Sequence, residues 1–297
     1  MNRPVPKMCF SQFIHENELV ILFADTNVGK SIVGVQVADL TSRGNPGEIF
    51  RYEPLDPKRV LYLDCELSDK QFEGRYSNNY QDHYQFSERF FISRINPEHI
   101  PEGDFEATLF EALERDIIEH EINFLIIDNI TYLRTETEQS KNALPLMKEL
   151  KHLKARHDLT VLVLAHTPKR DATKPISRND LAGSKALINF CDAAFTIGES
   201  FKDKSLRYLK QIKARATEVV YDTENVIVCE VTKQHNFLKF EFLHYGVERD
   251  HLKQTSEDQK KQESEEVRQL HSEGKSIRDI AAQLSISKSK VHRIIKS

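Results

Sequence analysis

Residues 18–33 read E-L-V-I-L-F-A-D-T-N-V-G-K-S-I-V. Residues 19–23 are a short apolar run rich in β-formers, which predicts a buried strand. Ala24, Asp25, Thr26, Asn27, Val28, Gly29, Lys30 and Ser31 then carry the spacing of a phosphate-binding loop, with Ala24 in place of the usual first glycine. Asn27 also stands where glycine is common, and asparagine is the non-glycine residue that best tolerates a left-handed backbone. Ile32, Val35, Val37 and Leu40 recur at helical spacing. Strand, loop, Gly-Lys-Ser and helix is the order such a loop requires. Backbone N–H groups along residues 24–32, Ile32 included, and the helix N-terminus receive the phosphates of a nucleotide. Lys30 reaches the β/γ oxygens, and the Ser31 hydroxyl ligates Mg²⁺. The competing reading is an ordinary strand-turn-helix with a chance Gly-Lys-Ser, and the downstream segments weigh against it.

The chain has 297 residues, enough for one large or two ordinary domains. Charged residues make up 30% of it, yet the net charge is only −4, so any contact with nucleic acid must be local. Cys9, Cys65, Cys191 and Cys229 are far apart and form no C-x-x-C, which speaks against a zinc site or a disulfide framework. No apolar run approaches the roughly 18 residues of a membrane span, and residues 1–7 lack a signal peptide's apolar stretch. These features predict a soluble, cytoplasmic protein without a membrane partner.

Taken in order, residues 1–17 read as an irregular lead-in with a small apolar patch at Phe10 and Phe13. Residues 43–58 form a Gly/Pro-marked connection. Apolar runs at 60–63, 124–127 and 160–165 predict buried strands, closed by Asp64-Cys65-Glu66, by Asp128 and by His166 respectively. Residues 90–95 are a further strand candidate. Helical periodicity covers 105–120 and 143–157, the latter with Leu144, Met147, Leu150 and Leu153 on one face. Strands that are apolar throughout and alternate with helices indicate a parallel sheet covered on both faces. Residues 181–190 read as helix and 193–197 as strand. Runs at 206–212, 225–231 and 237–242 alternate more, as antiparallel strands finishing one edge would. Between them, the loop 167–183 is polar and carries Lys169, Arg170, Lys174 and Arg178.

Residues 251–263 are polar without a helix-length apolar face and read as a linker between a nucleotide-binding domain, 1–250, and a small all-α domain, 264–297. In the latter, Val267 and Leu270 begin a helix that Gly274 ends. Ser276 is placed to cap a second helix and Ser287 a third, in a helix-turn-helix pattern. Lys288, Lys290 and Arg293 fall on the exposed side of the last helix, where a recognition helix meets duplex phosphates. The alternative is a three-helix dimerisation or lid module with a solvated basic face.

The chain resembles the RecA-like ATPases, in particular the branch of the plasmid RepA replicative helicase and the DnaB-type hexameric helicases. The resemblance covers roughly residues 18–242 and rests on A-D-T-N-V-G-K-S, Y-L-D-C-E, L-I-I-D-N, V-L-A-H and I-K-A-R in that order. It implies an α/β fold with a mainly parallel sheet. It implies that Glu66 activates the attacking water, that Asp128 joins Ser31 in holding Mg²⁺, and that His166 senses the γ-phosphate. By the same resemblance Lys213 and Arg215 are inserted towards a neighbouring subunit's γ-phosphate, and the loop after His166 holds single-stranded DNA. The C-terminal segment I-R-D-I-A-A-Q-L-S-I-S-K-S-K-V-H-R-I-I-K resembles the helix-turn-helix of resolvases and invertases, without a serine-recombinase catalytic domain.

The expectation is therefore a Mg²⁺-dependent ATPase that assembles as a homo-oligomeric ring, a hexamer by family analogy. It translocates on or unwinds DNA, with single strand at the core loop and duplex at the tail. Two other readings stand beside it: a non-motor regulator whose DNA binding is switched by ATP, and a KaiC-like assembly ATPase.

Overall fold

In the computed structural model, which describes residues 7–45, 56–95, 105–130, 143–168, 170–181, 184–284 and 286–296, the chain forms two compact units, 1–251 and 252–297. The first opens with a short antiparallel hairpin, β1 (Met8–Phe10) and β2 (Ile14–His15), where the sequence predicts an irregular lead-in. Its tip carries Phe13, whose ring lies 4.8 Å from that of Phe195, so the small apolar patch is a plug on the main core.

β3 (Leu19–Ala24) leads through the phosphate loop into α1 (Lys30–Arg43). β4 (Val60–Asp64), α2 (Asp69–Arg75), a small hairpin of β5 (Ser77–Asn78) and β6 (Asp82–His83), and β7 (Phe90–Arg94) follow. Then come α3 (Phe105–Glu119), β8 (Phe124–Asp128), α4 (Ala143–His157) and β9 (Thr160–His166). After a 3₁₀ turn at Arg178–Asp180 the chain continues through α5 (Ser184–Phe190) and β10 (Ala193–Glu199). β11 (Leu206–Lys213), β12 (Val226–Gln234) and β13 (Phe237–Gly246) complete the sheet.

Among the described residues, nine strands form one sheet in the order β13-β12-β11-β10-β3-β9-β8-β4-β7. From β10 to β7 every pair is parallel, and β11, β12 and β13 extend the sheet antiparallel. The run at 19–23 is apolar throughout because both faces are covered. Val20 and Leu22 join one core layer with α1, while Leu19, Ile21 and Phe23 join the other with α3, α4 and α5. On α4, Leu146 joins Met147, Leu150 and Leu153 in that second layer.

α1 departs from a one-sided amphipathic helix. Val33 through Asp39 are all buried, because α1 packs both on the central strands and against β13, the edge strand of the same sheet. The Gln36 side chain donates to the Phe240 carbonyl and accepts from the Phe240 N–H, both at 2.9 Å. A Cβ added at Gly34 would sit 3.2 Å from the Tyr62 ring, so the helix approaches the sheet at glycine distance.

In the second unit, α6 (Ser256–Ser272), α7 (Ile277–Gln283) and α8 (Lys288–Lys296) enclose Val267, Leu270, Ile280, Ala281, Val291 and Ile294. The expected linker 251–263 is corrected here: helix begins at Ser256, and the units divide between His251 and Leu252. Ser-Glu-Asp-Gln-Lys-Lys-Gln lacks an apolar stripe, but its Glu, Gln and Lys are good helix formers continuous with the packed turn at Val267. Ser276 Oγ accepts from the Asp279 N–H at 3.3 Å and Ser287 Oγ from the Lys290 N–H at 3.3 Å, so both N-caps form as read. Among the described residues no helix is long and apolar enough to cross a membrane.

Candidate active site

Parallel register brings the ends of four strands together. Ala24 pairs with His166, Asp64 with Asp128, and Ile127 with Val163, so the segments after β3, β4, β8 and β9 open on the same edge. The chain leaves β3 on one side and returns to fill β8 and β9 from the other. Such a carboxyl edge is where open α/β sheets bind ligands.

The loop itself is set by Asn27 at φ 61° and Gly29 at φ 114°. Asn27 occupies the left-handed position that its short amide tolerates. Gly29 has no substitute, since a Cβ there would lie 2.7 Å from the Phe240 ring as well as requiring a glycine-type backbone. α1 starts without a side-chain cap and with no acid in its first turn, which leaves its N–H groups and positive end to an anion. Lys30 Nζ lies beneath the loop, donating to the carbonyls of Ala24 at 3.1 Å and Asp25 at 2.8 Å. Burial lowers the affinity of this ammonium for its proton, and Asp128, Glu66 and Asp25 oppose that shift.

Asp128 is fully buried. Its Oδ2 accepts from the Tyr62 hydroxyl at 2.7 Å, while its Oδ1 has no hydrogen-bond partner among the described residues. Burial pushes its carboxyl up to about 6, the hydroxyls of Ser31 and Tyr62 pull it back, and Glu66 and Asp64 push further up. A buried carboxylate oxygen left open beside a serine hydroxyl fits a hard divalent cation. Mg²⁺ held by one carboxylate, one hydroxyl and substrate phosphates needs no protein cage, and no group of three His, Cys, Asp or Glu is gathered among the described residues.

Glu66 is aimed by Asp64, whose Oδ1 accepts from the N–H groups of Glu66 at 3.1 Å and Leu67 at 2.9 Å. Its Oε1 accepts from Asn129 Nδ2, and His166 Nε2 lies 3.1 Å from the same oxygen. Asn129 Nδ2 and His166 Nε2 are 2.8 Å apart. The imidazole can donate to the carboxylate or accept from the amide at this nitrogen, not both at once. The hydrogen bond from His166 holds the Glu66 carboxyl below its ordinary range against the effect of burial, and Lys30 and Asn129 add to the lowering.

Of the residues singled out in the sequence, residues 24–32, Glu66, Asp128 and His166 meet at this edge. Asn129 completes the triangle, and sequence reading gave it no role. An Asn after a strand-ending Asp is an ordinary turn residue, so the L-I-I-D-N string carried no separate signal for it.

Lys213 and Arg215 are elsewhere. Lys213 aligns with Ala194, which aligns with Ile21, and its Nζ donates to the carbonyls of Ile188 at 2.6 Å and Cys191 at 2.7 Å. Arg215 donates to Asp192 at 3.1 Å, and Asp192 in turn accepts from the Leu19 N–H at 3.0 Å. Both therefore lie at the amino ends of the parallel strands, with Leu19 about 16 Å of strand away from Ala24. Within one chain they do not reach the phosphate loop.

In the loop after β9, Lys169 is outside the described residues. Arg170 donates to the Lys174 carbonyl at 2.9 Å, Lys174 pairs with Asp171 at 3.4 Å, and Arg178 is exposed in the 3₁₀ turn. The loop is pinned at Ile176, whose N–H donates to Glu248 at 2.7 Å and whose carbonyl accepts from Lys210 at 2.8 Å. Lys210 and Glu248 are themselves a buried ion pair.

In the helix-turn-helix unit, Lys288, Ser289, His292, Arg293 and Lys296 form the exposed side of α8. Lys290 does not belong to it. Its Nζ pairs with Glu263 of α6 at 2.7 Å and is partly buried there. Lys290 follows Lys288 by two positions, which turns it towards the neighbouring helix rather than outward.

A doubly covered, mainly parallel sheet with a phosphate loop, a buried acid and a carboxylate at its carboxyl edge defines an ATPase domain of RecA-like fold. A family model described as an AAA domain matches residues 2–172, which contain the phosphate loop, the buried acid, the carboxylate and five of the sheet's nine strands, and the chain belongs to that family. A second family model, the helix-turn-helix domain of resolvase, matches residues 256–297, so a DNA-binding helix-turn-helix domain follows the ATPase domain. Among solved structures, the KaiC-like protein PH0186 from the hyperthermophilic archaeon Pyrococcus horikoshii OT3 is similar over 80% of this chain and 99% of its own. Its TM-score is 0.56 at 14% identity, a likeness of fold. No curated protein matches the chain in sequence.

Proposed function

We propose that the protein hydrolyses ATP with Mg²⁺ and works on DNA as a cytoplasmic, ring-forming helicase or translocase of the RepA/DnaB kind, held to duplex by its helix-turn-helix. The observation that carries the reading is the convergence of Lys30, Asp128, Glu66 and His166 on one edge of the sheet. Phosphoryl transfer to water needs positioning and charge neutralisation more than covalent chemistry. Glu66, kept anionic, orients the attacking water and accepts its proton. Lys30 faces the β/γ oxygens from beneath the loop. Ser31 and Asp128 would hold Mg²⁺, which would supply positive charge against the phosphates. His166, poised between Glu66 and Asn129, reads the γ-phosphate by exchanging partners and passes the change to the loop that follows it.

Arg215 cannot serve its own chain's phosphate loop, so we assign it, with Lys213, to a neighbour in a hexameric ring. Lys169, Arg170, Lys174 and Arg178 take single-stranded DNA, and Lys288 and Arg293 take duplex phosphates. A second reading, the ATP-switched regulator, is favoured by one observation: Arg170 and Lys174 are engaged in the loop's own contacts. ATPase turnover with and without single-stranded DNA, run beside strand displacement and mass measurement, tests the choice. DNA-stimulated turnover with displacement supports the motor. Nucleotide-dependent duplex binding without stimulation supports the regulator.

A further inference from the structure

Arg207, far along the chain from Asn27 and Gly29, also reaches the backbone of the phosphate loop. It lies near the start of β11, opposite Glu199 at the end of β10. Thr196 of β10 is level with Phe23 of β3, so Glu199 and Arg207 stand at the height of the phosphate loop itself. The Arg207 side chain is only 13% exposed. Its Nε donates to the Val28 carbonyl at 3.1 Å, across 179 positions of sequence. Its Nη1 donates to the carbonyls of Lys204 at 2.7 Å and Leu206 at 2.8 Å, and Nη2 lies 3.6 Å from Glu199. The guanidinium is thus fixed on the turn before β11 and extends one arm to the loop.

That arm has a directional consequence. In a trans peptide the C=O and the following N–H point to opposite sides of the unit. A Val28 carbonyl held by Arg207 therefore leaves the Gly29 N–H on the opposite side of that peptide, away from the guanidinium. The constraint falls on the loop's remaining glycine, since Gly29, at φ 114°, has no side chain to restrain its backbone. A charged donor with a rigid fork suits the task better than an ammonium.

We infer that Arg207 is a positioning residue of the phosphate loop, which clamps the Val28 carbonyl and thereby aims the Gly29 N–H at the polyphosphate of the nucleotide. The inference rests on the phosphate-loop reading above. It requires that Arg207 act on the phosphates and not on the base.

The full chain is titrated calorimetrically with ADP, inorganic pyrophosphate and, by competition, adenosine, as wild type, Arg207→Gln, Arg207→Lys and Lys30→Ala. Arg207→Gln is expected to weaken ADP and pyrophosphate about tenfold, the loss of one charge-assisted hydrogen bond. Adenosine should bind as in wild type, and Arg207→Lys should recover part of the loss. A general loosening of the unit would instead weaken adenosine as well, and that outcome overturns the inference. So does unchanged pyrophosphate affinity in Arg207→Gln when Lys30→Ala has lost it. If Lys30→Ala binds pyrophosphate like wild type, the phosphate-loop reading itself falls. Should Arg207→Gln melt below the assay temperature, Arg207→Lys decides: wild-type pyrophosphate affinity overturns the assignment, and a drop of threefold or more with unchanged adenosine affinity upholds it.

Discussion

Glu66 shares one carboxylate oxygen with an amide and an imidazole, and that company governs its chemistry. Glu66→Gln should keep ATP affinity near wild type while turnover falls by at least about 10²-fold, the usual cost of losing a general base. Equal turnover in a single-turnover assay would show that another group activates the water. The shift in its proton affinity has a definite sign. A carboxyl lowered from 4.5 contributes stability above that value and loses it as pH falls through the folded-state value. Removing the leading cause, in His166→Ala, should raise the pH at which the Glu66 carboxyl titrates, as carbon NMR of the labelled side chain would follow. A titration that stays in place would mean that the imidazole does not hold the carboxylate. That Glu66, Asp128 and His166 share one edge could be read because each stands within three residues of the end of an apolar run, and strand ends are where ligands gather. Asn129 was not legible, because its contacts join residues 66 and 166 and depend on strands pairing across the sheet.

At the level of elements, what could be read was what had length and a period. Every long apolar run became a strand of the main sheet. The hairpins β1–β2 and β5–β6 escaped reading because two or three residues make no pattern. The start of α6 was missed for a different reason: charge without an apolar face reads as linker. Two elements carry predictions. Gly29→Ala puts a methyl group into the Phe240 ring on a backbone that disfavours it, so nucleotide binding should be lost while the fold survives, as a calorimetric titration beside a thermal melt will check. On α8, Lys288→Ala and Arg293→Ala should each weaken duplex binding and reduce its log–log salt slope by about 0.9. Lys290→Ala should leave that slope nearly unchanged and lower the melting temperature of the helix-turn-helix unit instead, because its partner is Glu263. A slope reduced by Lys290→Ala and untouched by Lys288→Ala would reverse the assignment of the two faces.

For the molecule as a whole, the separation of Arg215 from the phosphate loop turns a question of mechanism into one of assembly. Arg215→Ala should bind ATP and hydrolyse it poorly, by the 10³–10⁵-fold typical of an arginine finger. Mixed with the Glu66→Gln protein, itself impaired, it should recover part of the activity, since some interfaces then pair an intact Glu66 with an intact Arg215. No recovery despite demonstrated subunit exchange would sink the oligomeric reading. That separation was beyond the sequence, which orders residues but does not say at which end of a sheet an antiparallel strand finishes.

The clamp between Gln36 and Phe240 bears on how the protein is made. The two residues are 204 positions apart, and Phe240 also forms the floor beneath Gly29. Synthesis delivers the N-terminal part first, so the helix after the phosphate loop emerges from the ribosome long before β13, against which it also packs. During that interval the nascent chain has the residues of a nucleotide site without the strand that holds α1 and lies against Gly29. ATP binding is then expected only once β13 has left the ribosome, which would make nucleotide capture a marker of a finished ATPase unit; ATP pull-down of chains stalled with β13 inside and outside the exit tunnel would register it.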